Sequence, residues 1–214
     1  MTEPRLSRAA EAAARHLCEV DPILRRIIER VGFLEYPLES DLWRALVGSI
    51  VGQQLSVAAA RTIRGRVAAL GRHGFPPAEE ILAASEERLR QCGLSRAKAI
   101  YIGDLARRWS AGEIDPAEID SLDDEAVIDR LVRVKGVGRW TAEMVLMFSL
   151  GRPDVLSVDD LGIRNAAQRA YALAQRPDRP TLESLAEPWK PFRSYACLYL
   201  WRSLEAVPTD DQTG

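Results

Sequence analysis

The stretch LVRVKGVGRWTAEMVLMFSLGRPDVLSVDD, Leu131 to Asp160, joins two runs of helical periodicity through a turn bearing two glycines and ends on two aspartates. Upstream of it, Ser121 and Asp124 stand at capping-box spacing. Val127, Leu131 and Val134 recur at i, i+4 and i+7, the apolar face of one helix. Gly136 and Gly138 end that helix, and Arg139 starts a second in which Thr141, Val145 and Phe148 share a face. The pattern predicts two helices packed antiparallel over a very short turn. The first N–H groups of the second helix, at the positive end of its dipole, form a site for a phosphate oxygen, and Lys135 and Arg139 flank it with charge. An ordinary helical connection also uses glycines, to let two helices approach closely, and spacing alone leaves both readings open.

The rest of the chain narrows the chemistry. Its 214 residues suffice for a well-buried core, as one domain or two tightly packed lobes. No apolar run approaches the roughly twenty residues that span a bilayer. Met1 to Val20 is a charged, Ala-rich helical pattern with no signal-peptide core, so the expected location is the cytoplasm. Cys18, Cys92 and Cys197 lie too far apart for a disulfide framework or a four-cysteine cluster. His16 and His73 fall in segments that read as surface helix or loop, which argues against a His base or a zinc site and leaves the carboxylates as candidates. The net charge of −2 argues weakly against nucleic acid. Its distribution points the other way. Arg61, Arg64 and Arg66 cluster on one helical run, Arg96 and Lys98 start another, and Lys135, Arg139, Lys190 and Arg193 lie in or near segments that carry motifs, although such clusters are more often a solvated helix face.

Read coarsely, the chain is all-α, with polar or Gly/Pro joints at 71–77, 92–95, 110–121, 151–158 and 176–180. Asp21 before Pro22 opens a helix in the N-cap/N1 manner, and Ser56 and Ser95 cap two more. The link GRPDVLSV leads into a helix opened by Asp159 or Asp160, and an aspartate there is first of all a cap. Tryptophans on helices are usually core, and Gln53 and Gln54 read as a polar loop between two helices.

KGVGRWTA at 135–142, followed about twenty positions later by VDD, resembles the signature of the helix-hairpin-helix DNA glycosylase superfamily. GSIVGQQLSVAAA at 48–60, CGLSRAKAIYIGDLA at 92–106 and EPWKPFRSYACLYLW at 187–201 resemble segments of its DNA-3-methyladenine glycosylase II branch. Together these cover roughly residues 40 to 204, and the chain looks like a compact form without the amino-terminal β-rich domain of the best-known bacterial member. The cysteine count excludes the iron–sulfur branch. The resemblance implies a two-lobed helical fold: a lobe at 41–152 with the helix-hairpin-helix motif at about 123–150, a second lobe of 1–40 plus 153–214, and an active-site cleft between them.

It also implies the roles of individual residues. The second acid of the motif is catalytic, which is Asp160, with Asp159 as catalytic support or helix cap. Trp140 and Trp201 match aromatic residues of the base pocket, to which Met144 and Leu161 also belong. Met144 and Leu161 replace tyrosines of the well-known bacterial member, so this pocket is less aromatic. The loop Gly52 to Ser56 supplies the wedge that fills the stack when a base is flipped, with Gln54 at the intercalating position and Leu55 beside it. Lys135, Gly136, Val137, Gly138 and Arg139 would bind DNA phosphate. No cofactor is required, and a monovalent cation, Na or K, sits in the family at the hairpin backbone. The implied activity is monofunctional excision of alkylated purines of the 3-methyladenine and 7-methylguanine type from duplex DNA, by a monomer that binds no membrane and joins the nucleoid when acting. A uracil, hypoxanthine or mismatch glycosylase of the same fold, and a non-catalytic DNA-binding module, are the competing readings.

Overall fold

A computed structural model describes residues 3–34 and 38–205. Among these the regular structure is entirely helical. In chain order the helices are α1 (Glu3–Val20), α2 (Pro22–Val31), α3 (Leu42–Gly52), α4 (Val57–Ala68), α5 (Ala78–Ala83), α6 (Glu86–Gln91) and α7 (Arg96–Ser110). They continue with α8 (Pro116–Ser121), α9 (Asp124–Leu131), α10 (Arg139–Phe148), α11 (Leu161–Ala170), α12 (Arg179–Ala186), a 3-10 turn at Glu187–Trp189, and α13 (Arg193–Glu205). The chain divides into two compact units, Met1–Pro37 with Gly151–Gly214, and Leu38–Leu150.

Short polar side chains set most helix starts by accepting the N–H groups that the first turn leaves without partners. Asp21 accepts from Ile23 and Leu24, Ser56 from Ala59, Ser95 from Lys98 and Asp178 from Thr181. Two boundaries differ from the sequence reading. The cap of α9 is Asp123, which accepts from Ala126, while Ser121 closes α8 with its hydroxyl on the Glu118 carbonyl. That helix, α8, lies inside the segment read as a joint, with Asp115 as cap and Pro116 at its first position. The helix before the hairpin also ends sooner, at Leu131. Val134 is buried in the turn.

In the first unit α13 packs against α1, α2 and α11. Its residues Tyr195 to Leu200 are all buried, so it is a core helix with apolar contacts around its whole circumference. The link at 151–158 is pinned along it. Ser194 donates to the Arg152 carbonyl (2.7 Å) and accepts from the Val155 N–H (2.9 Å), and Arg193 pairs with Asp154 (2.8 Å). These bonds, with buried Val155 and Val158, fix the chain that delivers Asp160.

A buried carboxylate ties the same unit together. Asp21 caps α2 through Oδ1, while its Oδ2 accepts from the Trp189 indole N–H (2.8 Å) and from the Tyr171 hydroxyl. Burial, followed by the neighbouring Asp21 carboxylate, pushes the Tyr171 hydroxyl far above its ordinary value, so it remains a donor. Asp21→Ala removes a cap and leaves the buried Trp189 indole N–H and the part-buried Tyr171 hydroxyl unmatched. We expect a loss of about 3–5 kcal/mol, read as a lower urea midpoint at unchanged slope.

In the second unit α7 is the central element, against which α3, α5 and α6 pack, while α9 and α10 pair as the two arms of the hairpin. Leu46, Ile50, Ile102, Leu105, Leu131 and Leu146 form its buried core.

Candidate active site

Asp160 is the N-cap of α11. Its Oδ1 accepts from the Ile163 N–H (2.8 Å) and from the Trp201 indole N–H (2.9 Å), and the residue is only 8% exposed. Gly162 keeps this corner narrow: a β-carbon there would lie 3.0 Å from Asp160 Oδ1 and 3.1 Å from the Trp201 ring. Two N–H dipoles and the positive end of α11 thus converge on one carboxylate oxygen. Asp159 is placed differently. It is exposed and pairs with Arg179 (2.6 Å). The helix-cap role offered for Asp159 falls to Asp160, because the carboxylate at the N-cap position reaches the N–H of Ile163, the third residue of α11. Of the residues assigned to the base pocket, Trp201 joins Asp160, and Leu161 stands 54% exposed at the first position of α11.

In the Leu38–Leu150 unit the hairpin turn runs from Leu131 to Gly138. Gly136 has φ +79, and a β-carbon on it would meet the Tyr101 ring at 2.1 Å, so both backbone and packing require glycine. Gly138 has an ordinary extended backbone and caps α10 without a side chain. The helices named above that start on Asp or Ser satisfy their own first N–H groups; α10 starts on glycine, and an acceptor from outside would serve there. Lys135 is exposed and the Val137 side chain is buried.

The Arg139 side chain is engaged within the hairpin itself. Its guanidinium donates to both carboxylate oxygens of Glu125 and through Nε to buried Glu143 (3.1 Å), bracing α9 against α10. The Arg139 backbone N–H stands at the first position of α10, among the N–H groups that a helix leaves without an internal acceptor. The broader basic pattern is spent similarly. Lys190 pairs with Glu187, Arg193 with Asp154 and Arg96 with Glu86, and Arg64 donates to the Gly48 carbonyl.

Trp140, at the second position of α10, is 46% exposed. Met144, one turn on, lines a groove of about 530 Å³ among α3, α4 and α10, together with Val47, Gly48, Arg64, Phe75 and Phe148. The loop assigned as the wedge is a tight turn, closed by the Leu55 N–H on the Gly52 carbonyl (3.2 Å). Gln54 lies at its tip with φ +55, and Leu55 is 39% exposed.

One residue that supports the hairpin was not read from the sequence. Asp104 on α7, 2% exposed, accepts the Lys135 N–H (3.0 Å) and bonds Arg108 (3.1 Å). Burial raises its pKa, but the Lys135 N–H and the Arg108 and Arg107 guanidiniums outweigh that and hold the carboxyl below its usual range. A lone acid within the apolar face of Ile102, Leu105 and Ala106 was the available signal.

The sequence pattern described as HhH-GPD superfamily base excision DNA repair protein matches residues 47–191. The chain belongs to this family. Among HhH-GPD relatives, a putative DNA-3-methyladenine glycosylase of Bacillus subtilis is 33% identical over 174 residues, 78% of this chain and 61% of the relative's own length. DNA-3-methyladenine glycosylase 1 of Schizosaccharomyces pombe is 35% identical over 194 residues, 88% of this chain and 85% of that protein. Of solved HhH-GPD structures, the Schizosaccharomyces pombe 3-methyladenine DNA glycosylase in complex with abasic DNA superposes with a TM-score of 0.83 at 33% identity, covering 92% of this chain and 99% of that one. The helical architecture and the helix-hairpin-helix motif are those of the family.

Proposed function

We propose that this HhH-GPD protein is a monofunctional DNA glycosylase that flips alkylated purines out of duplex DNA and hydrolyses their N-glycosidic bond, as a step of base excision repair. The observation that carries the reading is Asp160, a buried carboxylate at a helix N-terminus, bonded to two N–H groups, in a chain whose relatives are named 3-methyladenine DNA glycosylases.

The first N–H groups of α10 and the Lys135 ammonium take a DNA phosphate, which positions the protein without reading sequence. Gln54 and Leu55 enter the stack as the target base leaves it. A purine alkylated at N3 or N7 carries positive charge and leaves readily. The Trp201 indole, bonded to Asp160, is an aromatic surface for it, and such a contact is worth roughly 0.5–2 kcal/mol. As the bond from C1′ to the purine nitrogen breaks, its electron pair goes to the base and positive charge develops on the sugar. The Asp160 carboxylate, held in place by Ile163 and Trp201, stabilises that charge, and water adds to C1′ as its proton passes to the Asp160 carboxylate and on to solvent.

A monovalent cation at the hairpin backbone is part of the same proposal. Backbone carbonyls at the negative end of α9 would hold it, although those of Leu131, Val134 and Gly136 already accept from Val134, Val137 and Gln53. Among the described residues no group of three or more His, Cys, Asp or Glu side chains could hold a metal instead. When bound, the ion would add positive charge beside the phosphate.

The test is to incubate the protein with duplexes that are alkylated, deaminated or undamaged and to identify the released base. Release of 3-methyladenine or 7-methylguanine is expected. Release of uracil or hypoxanthine alone would move the reading to another lesion, and no release with intact duplex binding would leave a binding module.

The backbone should remain uncut. Bifunctional members of the superfamily attack the sugar with a lysine amine placed where this chain has Trp140, and an indole cannot form a Schiff base. Borohydride is expected to trap no protein–DNA adduct on a duplex undergoing excision. An adduct lost on mutating a lysine would overturn the water-based route.

A further inference from the structure

Within the Leu38–Leu150 unit, one face of α7 holds both the wedge turn and the hairpin. Lys98 Nζ donates to the carbonyls of Val51 (2.9 Å) and Gln53 (2.6 Å), placing a cation at the C-terminal end of α3. Tyr101, one turn on, fills the space beside Gly136, and Asp104, a further turn on, accepts the Lys135 N–H. The circuit closes through Gln53, whose Nε2 donates to the Gly136 carbonyl (2.8 Å). Burial pulls the Lys98 amine below its ordinary value, which fits an internal strut better than a surface contact to phosphate.

The backbone of the wedge turn depends on this support. Gln53 has φ −53 and ψ 131 and Gln54 has φ +55, the angles of a type II turn, whose third position ordinarily takes glycine or asparagine. A glutamine stays left-handed only where its surroundings over-determine it. Here the residue before it is bonded on its carbonyl side by Lys98 and on its side-chain side by the hairpin.

We propose that Gln53 is a positioning residue that makes the intercalating turn and the phosphate-binding hairpin one mechanical unit, so that seating the hairpin on a phosphate delivers Gln54 and Leu55 into the base stack. Lys98 supports Gln53 from α7. The inference rests on the glycosylase reading above and assigns Gln53 no contact with DNA.

The test uses the full chain with Gln53→Met, which keeps the length of the side chain and removes its donor, and with Lys98→Met as a second variant. Each is checked for a wild-type circular dichroism spectrum. Three quantities are measured: affinity for undamaged duplex, brightening of a 2-aminopurine placed beside a 7-methylguanine, and single-turnover release of that base. For Gln53→Met we expect affinity within about twofold of wild type, loss of most of the brightening, and release about tenfold slower opposite cytosine but within about twofold opposite an abasic site, where no partner base resists the wedge. Lys98→Met should shift the same quantities in the same direction, so it decides the matter if Gln53→Met does not fold. Wild-type brightening and release in both variants would overturn the inference, as would a loss of undamaged-duplex affinity as large as the loss of release. If wild type brightens the probe without releasing base, the glycosylase reading fails, and the brightening of the variants still decides whether Gln53 couples the two turns.

Discussion

Asp160→Asn is expected to slow single-turnover release of 7-methylguanine by about a thousandfold or more, while affinity for the same duplex stays within about twofold. The substitution isolates charge from architecture. An asparagine oxygen can still accept from Ile163 and Trp201, and asparagine is as good an N-cap as aspartate, so α11 and the corner closed by Gly162 are retained. What disappears is the negative charge proposed to face the developing sugar cation, an interaction made only in the transition state. Groups that stabilise transition-state charge in this way contribute about 10²–10³ each when removed singly, and an anion against a cation belongs at or above the top of that range. Rapid-quench kinetics with excess enzyme and anisotropy binding on one duplex read both quantities. Wild-type release by Asp160→Asn, with the loss appearing in Asp159→Asn, would move catalysis to the exposed carboxylate that pairs with Arg179.

The distinction between these two aspartates shows what a sequence can specify. Both stand before a helical run, and position alone makes either a cap. The choice is made by the link at 151–158, whose register is fixed by Ser194 and Arg193, some forty residues away in the chain. Local chemistry was legible where it is self-contained. Asp21 before Pro22, Ser56 and Ser95 cap the helices their positions suggest, because a cap is an interaction over three residues. The same signature, Asp115 before Pro116, marks α8 and was passed over inside a polar stretch.

The hairpin was legible as a glycine turn between two helices; the partners of its side chains were not. Arg139 looks from its neighbours like a phosphate ligand, yet Glu125 and Glu143 claim it, one from the preceding helix and one a turn ahead. Carboxylates so close compete with any phosphate for the same donors, which local charge counting does not register. The partners of Gln53, Lys98 and Asp104 were hidden for the opposite reason. These three side chains act on backbone atoms of distant segments, which carry no residue identity for a sequence pattern to match.

The two hairpin glycines are expected to separate folding from DNA binding. At Gly136 the left-handed backbone and the Tyr101 ring, 2.1 Å from any β-carbon, both oppose a side chain. Backbone strain alone costs about 1–3 kcal/mol there, and displacing the ring adds to it, so Gly136→Val should lower the unfolding midpoint sharply or prevent folding. At Gly138 the backbone is extended and nothing lies within 4 Å of the β-carbon position. Gly138→Val therefore exchanges one uncapped N-cap residue for a poorer one, a loss of about 1 kcal/mol at most. Its branched side chain would, however, occupy the approach to the first N–H groups of α10, where the phosphate is proposed to sit. Affinity for damaged and undamaged duplex should fall together, by about tenfold or more, because the lost contact carries no sequence information. The slope of log affinity against log salt should flatten by about 0.9 for the one phosphate no longer neutralised. Urea unfolding and anisotropy titrations at several salt concentrations separate the two variants. A Gly138→Val protein that folds normally and binds undamaged duplex with wild-type affinity and salt slope would place the anchor elsewhere.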